Sequence, residues 1–107
     1  MAWAYLVVAG LFEIVWALGM KRTEGFTKPG PTLWTLAAMG VSFALLGFAV
    51  RSIPVGTAYA VWTSIGAAGT AVFGILLYKE PATAARVACI ALIVAGTIGL
   101  KLVTKTE

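Results

Sequence analysis

The sequence has no histidine, a single cysteine and few charged residues, which make up only 11% of its 107 positions. Without histidine it lacks the usual general base, the most common metal ligand and the familiar form of the serine triad. Cys89 alone cannot build a disulfide or a multi-cysteine metal site within one chain, and its apolar surroundings indicate a small packing residue. We therefore expect no cofactor, no metal site and no enzyme activity.

Apolar residues, in contrast, are abundant: hydrophobic side chains make up 61% of the sequence and the mean hydropathy is +0.97. Ordinary soluble domains are about 45–50% apolar and about 25% charged. The apolar residues form four blocks, at about 2–20, 32–50, 56–78 and 83–103, and each block is apolar all round. Since a bilayer span needs about 20 apolar residues, the sequence predicts an all-α integral membrane protein, with a single four-helix transmembrane domain over residues 1–107.

The net charge of +4 does not predict nucleic-acid binding, because the lysines and arginines stand singly or in pairs between the apolar blocks. Such residues are typical of membrane interfaces. The first block is not expected to be a signal peptide, since it has no early lysine, carries a glutamate in its middle and is followed by three further blocks. We expect it to be retained as the first membrane helix.

The distribution of basic residues does not clearly predict the orientation of the chain in the membrane. With four spans, Arg51, Lys101 and Lys105 fall on one side, and the opposite side carries five basic residues: Lys21, Arg22, Lys28, Lys79 and Arg86. Under the positive-inside rule this difference is small. One hypothesis is that the chain inserts in both orientations and that the two forms pair head to tail. The alternative is a single, weakly biased topology.

Glu13 is the one acidic residue inside a predicted span, whereas Glu24, Glu80 and Glu107 fall in loops or at the terminus. A charged acid near the middle of a span costs about 2.5–3.5 kcal/mol on insertion scales, so such groups face an interior or a watery cavity. This position predicts a site that exchanges protons and cations. The alternative is a protonated glutamic acid that is hydrogen-bonded to a neighbouring helix.

Several residues are candidates to line a pocket around Glu13. On a helix, Gly10 and Trp16 share its face at spacings of three, and Gly10 leaves space beside the carboxyl group. The third block carries a polar and aromatic face, and the second has one hydroxyl midway; these residues are Tyr59, Trp62, Thr63 and Ser42. Tyr59 and Trp62 could instead belong to the aromatic belt at the membrane interface.

The fourth block contains a strip of small residues at spacings of three and four, namely Ala84, Ala88, Ala91, Ala95 and Gly99. Small residues allow helices to approach closely in lipid. The strip from Ala88 to Gly99 is therefore a candidate dimer contact, although tight packing within one subunit would use the same residues.

Four motifs carry a family resemblance over essentially the whole chain. They are FEIVWA at 12–17, EGFT at 24–27, PVGTAYAVWT at 54–63, and KEP at 79–81 followed by Arg86. In these motifs the sequence resembles the small multidrug resistance family. It is most similar to the guanidinium-exporter subtype, because Trp16-Ala17 stands where the drug-exporting subtype typically has Gly-Thr.

The resemblance implies an antiparallel, dual-topology homodimer of four-helix subunits in the bacterial plasma (inner) membrane, with proton antiport through Glu13. Ser42, Tyr59 and Trp62 would surround the two Glu13 carboxylates of the dimer, and Trp16 would orient them. The expected activity is proton-coupled export of guanidinium-type cations, and the expected partners are protons, lipid and a second copy of the chain, with no nucleic acid.

Two other functions stay open from the sequence. A broad exporter of hydrophobic quaternary ammonium drugs would use the aromatic side chains for cation–π contacts. A non-transporting assembly partner or small membrane scaffold would leave Glu13 with a packing role only.

Overall fold

The computed structural model describes residues 1–104, which form four α-helices and, within that range, no strand. The helices are α1 (Ala2–Arg22), α2 (Pro29–Ala49), α3 (Val55–Tyr78) and α4 (Ala84–Val103). Each is long and apolar enough to cross a bilayer. At 1.5 Å per residue they measure roughly 30–36 Å, which matches a hydrocarbon core of about 30 Å. The predicted all-α fold with four membrane helices is confirmed.

The main difference from the expected boundaries is at the start of α2, which begins at Pro29 and not at residue 32. Lys28 is the extended N-cap residue, and Pro29 and Pro31 lie in the first turn. Proline fits there because the first N–H groups of a helix have no partner within the helix. The prolines therefore start this helix, whereas the sequence pattern predicts them in the preceding loop. Lys105 and Glu107 lie outside the described residues.

Helix α1 is the centre of the subunit and packs along both α2 and α3. Its buried residues Leu6 and Ala9 join Ile53, Val61 and Trp62 in the core. Alanine and glycine at these contacts let the helix backbones approach closely, as is usual between membrane helices.

Helix α4 stands apart from this three-helix unit. Its main packing partner among the helices is α3, and none of its residues is buried. The described chain is correspondingly flat, with extents of 42 × 34 × 17 Å. A helix that is exposed on most sides within one subunit leaves a large apolar face for lipid or for a second copy.

The two ends of the helix bundle carry different basic residues. At one end, the Lys21 ammonium lies 4.6 Å from the centre of the Tyr78 ring, so the end of α1 meets the end of α3. At the other end, the Lys101 ammonium lies 4.9 Å from the centre of the Trp3 ring. Cationic groups over aromatic faces are typical of membrane interfaces.

Candidate functional site

Glu13 lies near the middle of α1 and is half-buried against α3. Its carboxyl group packs on the backbone of Gly66, where an added Cβ would overlap it. Glycine at position 66 is therefore what allows the carboxyl group to lie there. Oxygen Oε1 is buried and has no hydrogen-bond partner among the described residues. An unpaired buried acceptor is costly, so this oxygen is suited to receiving a donor from a ligand or a proton.

The Glu13 side chain forms part of the wall of a cleft of about 410 Å³ between α1 and α3. On the α3 side the lining residues recur at spacings of three and four, which is one continuous helix face. They are small or hydroxyl-bearing for most of the length: Thr63, Gly66, Ala67, Thr70, Ala71 and Gly74. We call this space the Glu13 cleft; it extends from Glu13 to the chain segment at Tyr78 and Glu80.

Ser42 and Trp62 join the three packed helices through hydrogen bonds. The Trp62 indole N–H donates to the Ser42 hydroxyl over 2.9 Å, and that hydroxyl donates to the Ala9 carbonyl over 2.7 Å. Both side chains are buried, with Trp62 only 7% exposed. The aromatic-belt alternative therefore does not apply to Trp62. The bonds link α2 and α3 to each other and to α1 at Ala9, one turn from Glu13.

Four aromatic rings form a row that includes Trp16, Trp62 and Tyr59. Phe43 lies between the two tryptophans, with its ring centre 6.2 Å from that of Trp16 and 5.7 Å from that of Trp62. The Tyr59 ring centre is 5.5 Å from that of Trp62, and Tyr59 is 57% exposed. The buried indole N–H of Trp16 has no acceptor among the described residues. The row therefore offers an aromatic surface with one unused donor.

Gly10 has a packing role in this subunit. It is buried, and a Cβ there would come within 2.6 Å of the Ile65 side chain, so Gly10 allows α1 and α3 to approach. Of the predicted pocket-lining residues, Thr63 is the one that shares the Glu13 cleft. The arrangement of the others around two Glu13 carboxylates is a property of a dimer and stays a prediction.

Sequence reasoning missed the residues at the far end of the cleft. Thr70 lines its middle, and its buried hydroxyl has no partner among the described residues. Lys21, Tyr78 and Glu80 line its outer end. The repeating small and hydroxyl residues of α3 were a usable signal for Thr70. The position of Glu80 depends on how the chain turns after α3, and no comparable residue pattern predicts that turn.

The predicted dimer strip on α4 is left uncovered by the described part of the subunit. Ala88, Ala91 and Ala95 are exposed, and a Cβ added at Gly99 would meet nothing within 4 Å. The strip is therefore free to contact another chain, and its role as a dimer contact stays a prediction.

Within the membrane-spanning part of the cleft, the chemistry available is that of one carboxyl group, Glu13, beside the small and hydroxyl-bearing residues of α3. Of the acids in the described part of the chain, Glu13 alone lies within a helix. No group of three potential metal ligands from His, Cys, Asp and Glu occurs among residues 1–104. One carboxyl group can hold a proton or an organic cation. The aromatic row, which does not line the cleft, offers ring faces of the kind that contact cations.

Comparison with known proteins identifies the family of this chain. The family model described as Small Multidrug Resistance protein matches residues 1–93. A "Guanidinium exporter" of Citrobacter freundii is 59% identical over 104 residues, which cover 97% of this chain and 99% of that protein. The corresponding protein of Escherichia coli K12 is 58% identical over the same shares, and one from Yersinia pseudotuberculosis is 55% identical over 102 residues, covering 95% and 98% of the two chains. The chain therefore belongs to the small multidrug resistance family, as a multi-pass protein of the bacterial inner membrane.

Proposed function

We propose that this chain is a proton-coupled antiporter that exports guanidinium and small substituted guanidinium cations. The observation that carries the proposal is the Glu13 carboxyl group, which lies in a cleft within the membrane helices and has a buried oxygen without a donor in residues 1–104. Relatives that are 55–59% identical over nearly their whole length are named guanidinium exporters, which supports the same substrate here.

The geometry of guanidinium suits this carboxyl group. The cation is planar and presents parallel N–H donors that match the two oxygens of a carboxylate. A proton on Glu13 removes the negative charge that the cation needs, so the two compete for the same group. Competition of this kind couples outward movement of the cation to inward movement of protons.

The working unit in this proposal is an antiparallel homodimer. A single chain presents α4 as an exposed helix and the Glu13 cleft as an open space, and a second copy would cover both. Two Glu13 carboxyl groups would then face one central pocket, with Ser42, Tyr59 and Trp62 from each copy around them. The two acids would titrate as a coupled pair, so any measured value belongs to the pair.

The second candidate function is export of hydrophobic quaternary ammonium cations. The row of rings from Trp16 through Phe43 to Trp62 favours it, because aromatic faces bind such cations without hydrogen bonds. Quaternary ammonium has no N–H donor, so it would leave the carboxylate without the paired bonds that guanidinium makes. A scaffold without transport would require neither the open cleft nor the unpaired oxygen.

The deciding experiment is uptake into proteoliposomes with an imposed proton gradient. Guanidinium and tetramethylammonium are compared at equal concentration, and proton movement is recorded at the same time. We expect guanidinium to move protons in the opposite direction and tetramethylammonium to move few. Equal transport of both cations would favour the multidrug exporter, and the absence of proton movement with either would favour the scaffold.

A further inference from the structure

The Glu13 cleft contains a second carboxyl group, that of Glu80, at its outer end. The chain turns there because Lys79 takes a left-handed backbone conformation at the end of α3, with φ of 55°. The Gly74 carbonyl accepts the Glu80 backbone N–H over 3.4 Å, and this contact brings Glu80 back over the last turns of α3. A Cβ at Gly74 would meet the Glu80 carboxyl group, so here too a glycine leaves the space.

The two carboxyl groups lie along one path. Glu13 packs on Gly66 and Glu80 on Gly74, and both glycines belong to the cleft-lining face of α3. The separation of eight positions from 66 to 74 corresponds to about 12 Å along the helix. Thr70 lies between them on the same face. A cation that moves between Glu13 and the aqueous side at this end of the bundle would therefore pass Glu80.

Glu80 already binds a guanidinium group in the structure. The Arg86 Nη2 atom lies 3.5 Å from Glu80 Oε1, and the two side chains are 41% and 39% exposed. A pair of this length and exposure contributes little to stability, so a second guanidinium can replace the first at small cost. The proposed substrate carries the same donor group as the Arg86 side chain.

Two other cationic side chains at this end of the bundle, Lys21 and Arg22, contact Tyr78. The Lys21 ammonium lies over the Tyr78 ring, and the Arg22 Nε atom donates to the Tyr78 hydroxyl over 3.2 Å. That hydroxyl donates in turn to the Leu18 carbonyl over 3.0 Å, which fixes the ring. Lys21 and Arg22 thus have contacts of their own, and Arg86 is the cation that occupies Glu80.

We propose that Glu80 is an outer binding site of the transport path, at which the transported guanidinium cation exchanges with the Arg86 side chain. This rests on the proposed function. The cation binds Glu80 while Arg86 is released to water, and it then moves along the α3 face to Glu13. Arg86 returns to Glu80 when the outer site empties, so it acts as a built-in competitor that keeps this site weak enough for release.

The first test measures guanidinium uptake as a function of concentration for Glu80→Gln. Glutamine keeps the shape but loses the charge, and we expect the KM to rise about fivefold, the effect of one ion pair near water. The maximal rate should stay close to that of the wild type, since Glu13 is unchanged. The matched control is Glu24→Gln at the same end of the bundle, where the side chain is 66% exposed and pairs with Lys28 outside the cleft; its KM should not change.

The second test is Arg86→Gln, for which the proposal predicts the opposite sign. Removal of the competitor should lower the KM by about twofold. Lys79→Gln removes a neighbouring positive charge that does not line the cleft, and it measures the general effect of charge at this surface. If Glu80 and Arg86 served only to hold the loop together, Glu80→Gln and Arg86→Gln would weaken transport in the same way.

The outer site is excluded if Glu80→Gln and the wild type have the same KM. It is also excluded if Arg86→Gln lowers the KM no more than Lys79→Gln does. Glu80→Asp replaces Glu80→Gln if that variant does not fold, and it should give a smaller rise in KM. Failure of the proposed function is recognised separately, because the wild type itself would then not exchange guanidinium for protons.

Discussion

The carboxyl group of Glu13 can bind a proton or a cation, but it cannot bind both at the same time. Glu13→Gln keeps the size and hydrogen-bonding capacity of the protonated acid and cannot become an anion. We expect proton-coupled guanidinium uptake to fall to the level of empty liposomes, while the variant folds and associates as the wild type does. Retained proton-driven uptake would remove Glu13 from the site.

The same competition fixes the sign of the pH dependence in this experiment. As the pH falls, more Glu13 is protonated and fewer carboxylates are free, so guanidinium binding to the wild type should weaken. Binding measured over about pH 5.5 to 8.5 spans the range in which a membrane-embedded acid is expected to exchange its proton. A constant affinity over this range would exclude competition between protons and the cation.

Gly66 is the position at which a small change tests the geometry of the site. In Gly66→Ala the new methyl group would overlap the Glu13 carboxyl group, so the acid must move away from the α3 wall. Because alanine favours helix over glycine by about 1 kcal/mol, the helix itself should not be weakened. We expect guanidinium uptake to fall by about tenfold, from displacement of the reacting group.

The control for this substitution is Gly47→Ala in α2, where an added Cβ meets nothing within 4 Å. It makes the same chemical change in another membrane helix and should leave uptake unchanged. Equal activity of Gly66→Ala and Gly47→Ala would show that the contact between Glu13 and the α3 backbone is unimportant for transport.

Individual residues differ in how far the sequence could identify them. Glu13 was identifiable because a lone acid in an apolar span is expensive, whatever its neighbours are. The sequence predicts that Ser42 and Trp62 line one pocket, but the hydrogen bond between them depends on how α2 and α3 are rotated about α1. Glu80 lies in a loop, as the sequence predicts. Its return to the cleft was not predictable, because the left-handed turn at Lys79 has no signature in the local residue types.

The four helices were predictable as elements because each apolar block has the length of a bilayer span. Their ends were less predictable, since a proline can either end a helix or occupy its first turn. Pro29 and Pro31 do the latter. The partner of α4 could not be derived from sequence either, because a strip of small residues fits contacts within a subunit and between subunits equally well.

Ala95→Leu tests whether this strip on α4 is the dimer contact. Ala95 is exposed within the subunit, so a leucine there should fit a single chain without overlap. In a dimer that uses the strip, the larger side chain would separate two closely packed helices. We expect loss of the dimer in mild detergent and a matching loss of transport.

Cys89→Leu is the matched control for this substitution, because Cys89 is exposed on the same helix and lies outside the small-residue strip. It adds apolar bulk to α4 and should leave the dimer and its transport intact. A dimeric and fully active Ala95→Leu variant would place the dimer contact elsewhere.

For the molecule as a whole, the distribution of charge and the exposed α4 raise the same question of how two chains are arranged. Basic side chains are placed at both ends of the bundle, as the contacts of Lys21 with Tyr78 and of Lys101 with Trp3 show. A near balance of this kind gives membrane insertion little directional bias. If both orientations form, an antiparallel pair would bring two Glu13 clefts with opposite outlets into one transporter.

This arrangement predicts that a reporter fused after Glu107 is found on both sides of the membrane in comparable amounts. Two lysines introduced at exposed positions next to Arg51 should then trap one orientation, provided that the buried Ile53 is left in place. Two glutamines at the same positions are the control and should keep the distribution even. The trapped form should lose most transport when expressed alone, because an antiparallel partner is no longer made, and should recover it when a chain trapped in the opposite orientation is co-expressed. Full activity of a single trapped orientation would refute the dual-topology dimer, while leaving the carboxyl chemistry of Glu13 to be judged by its own substitution.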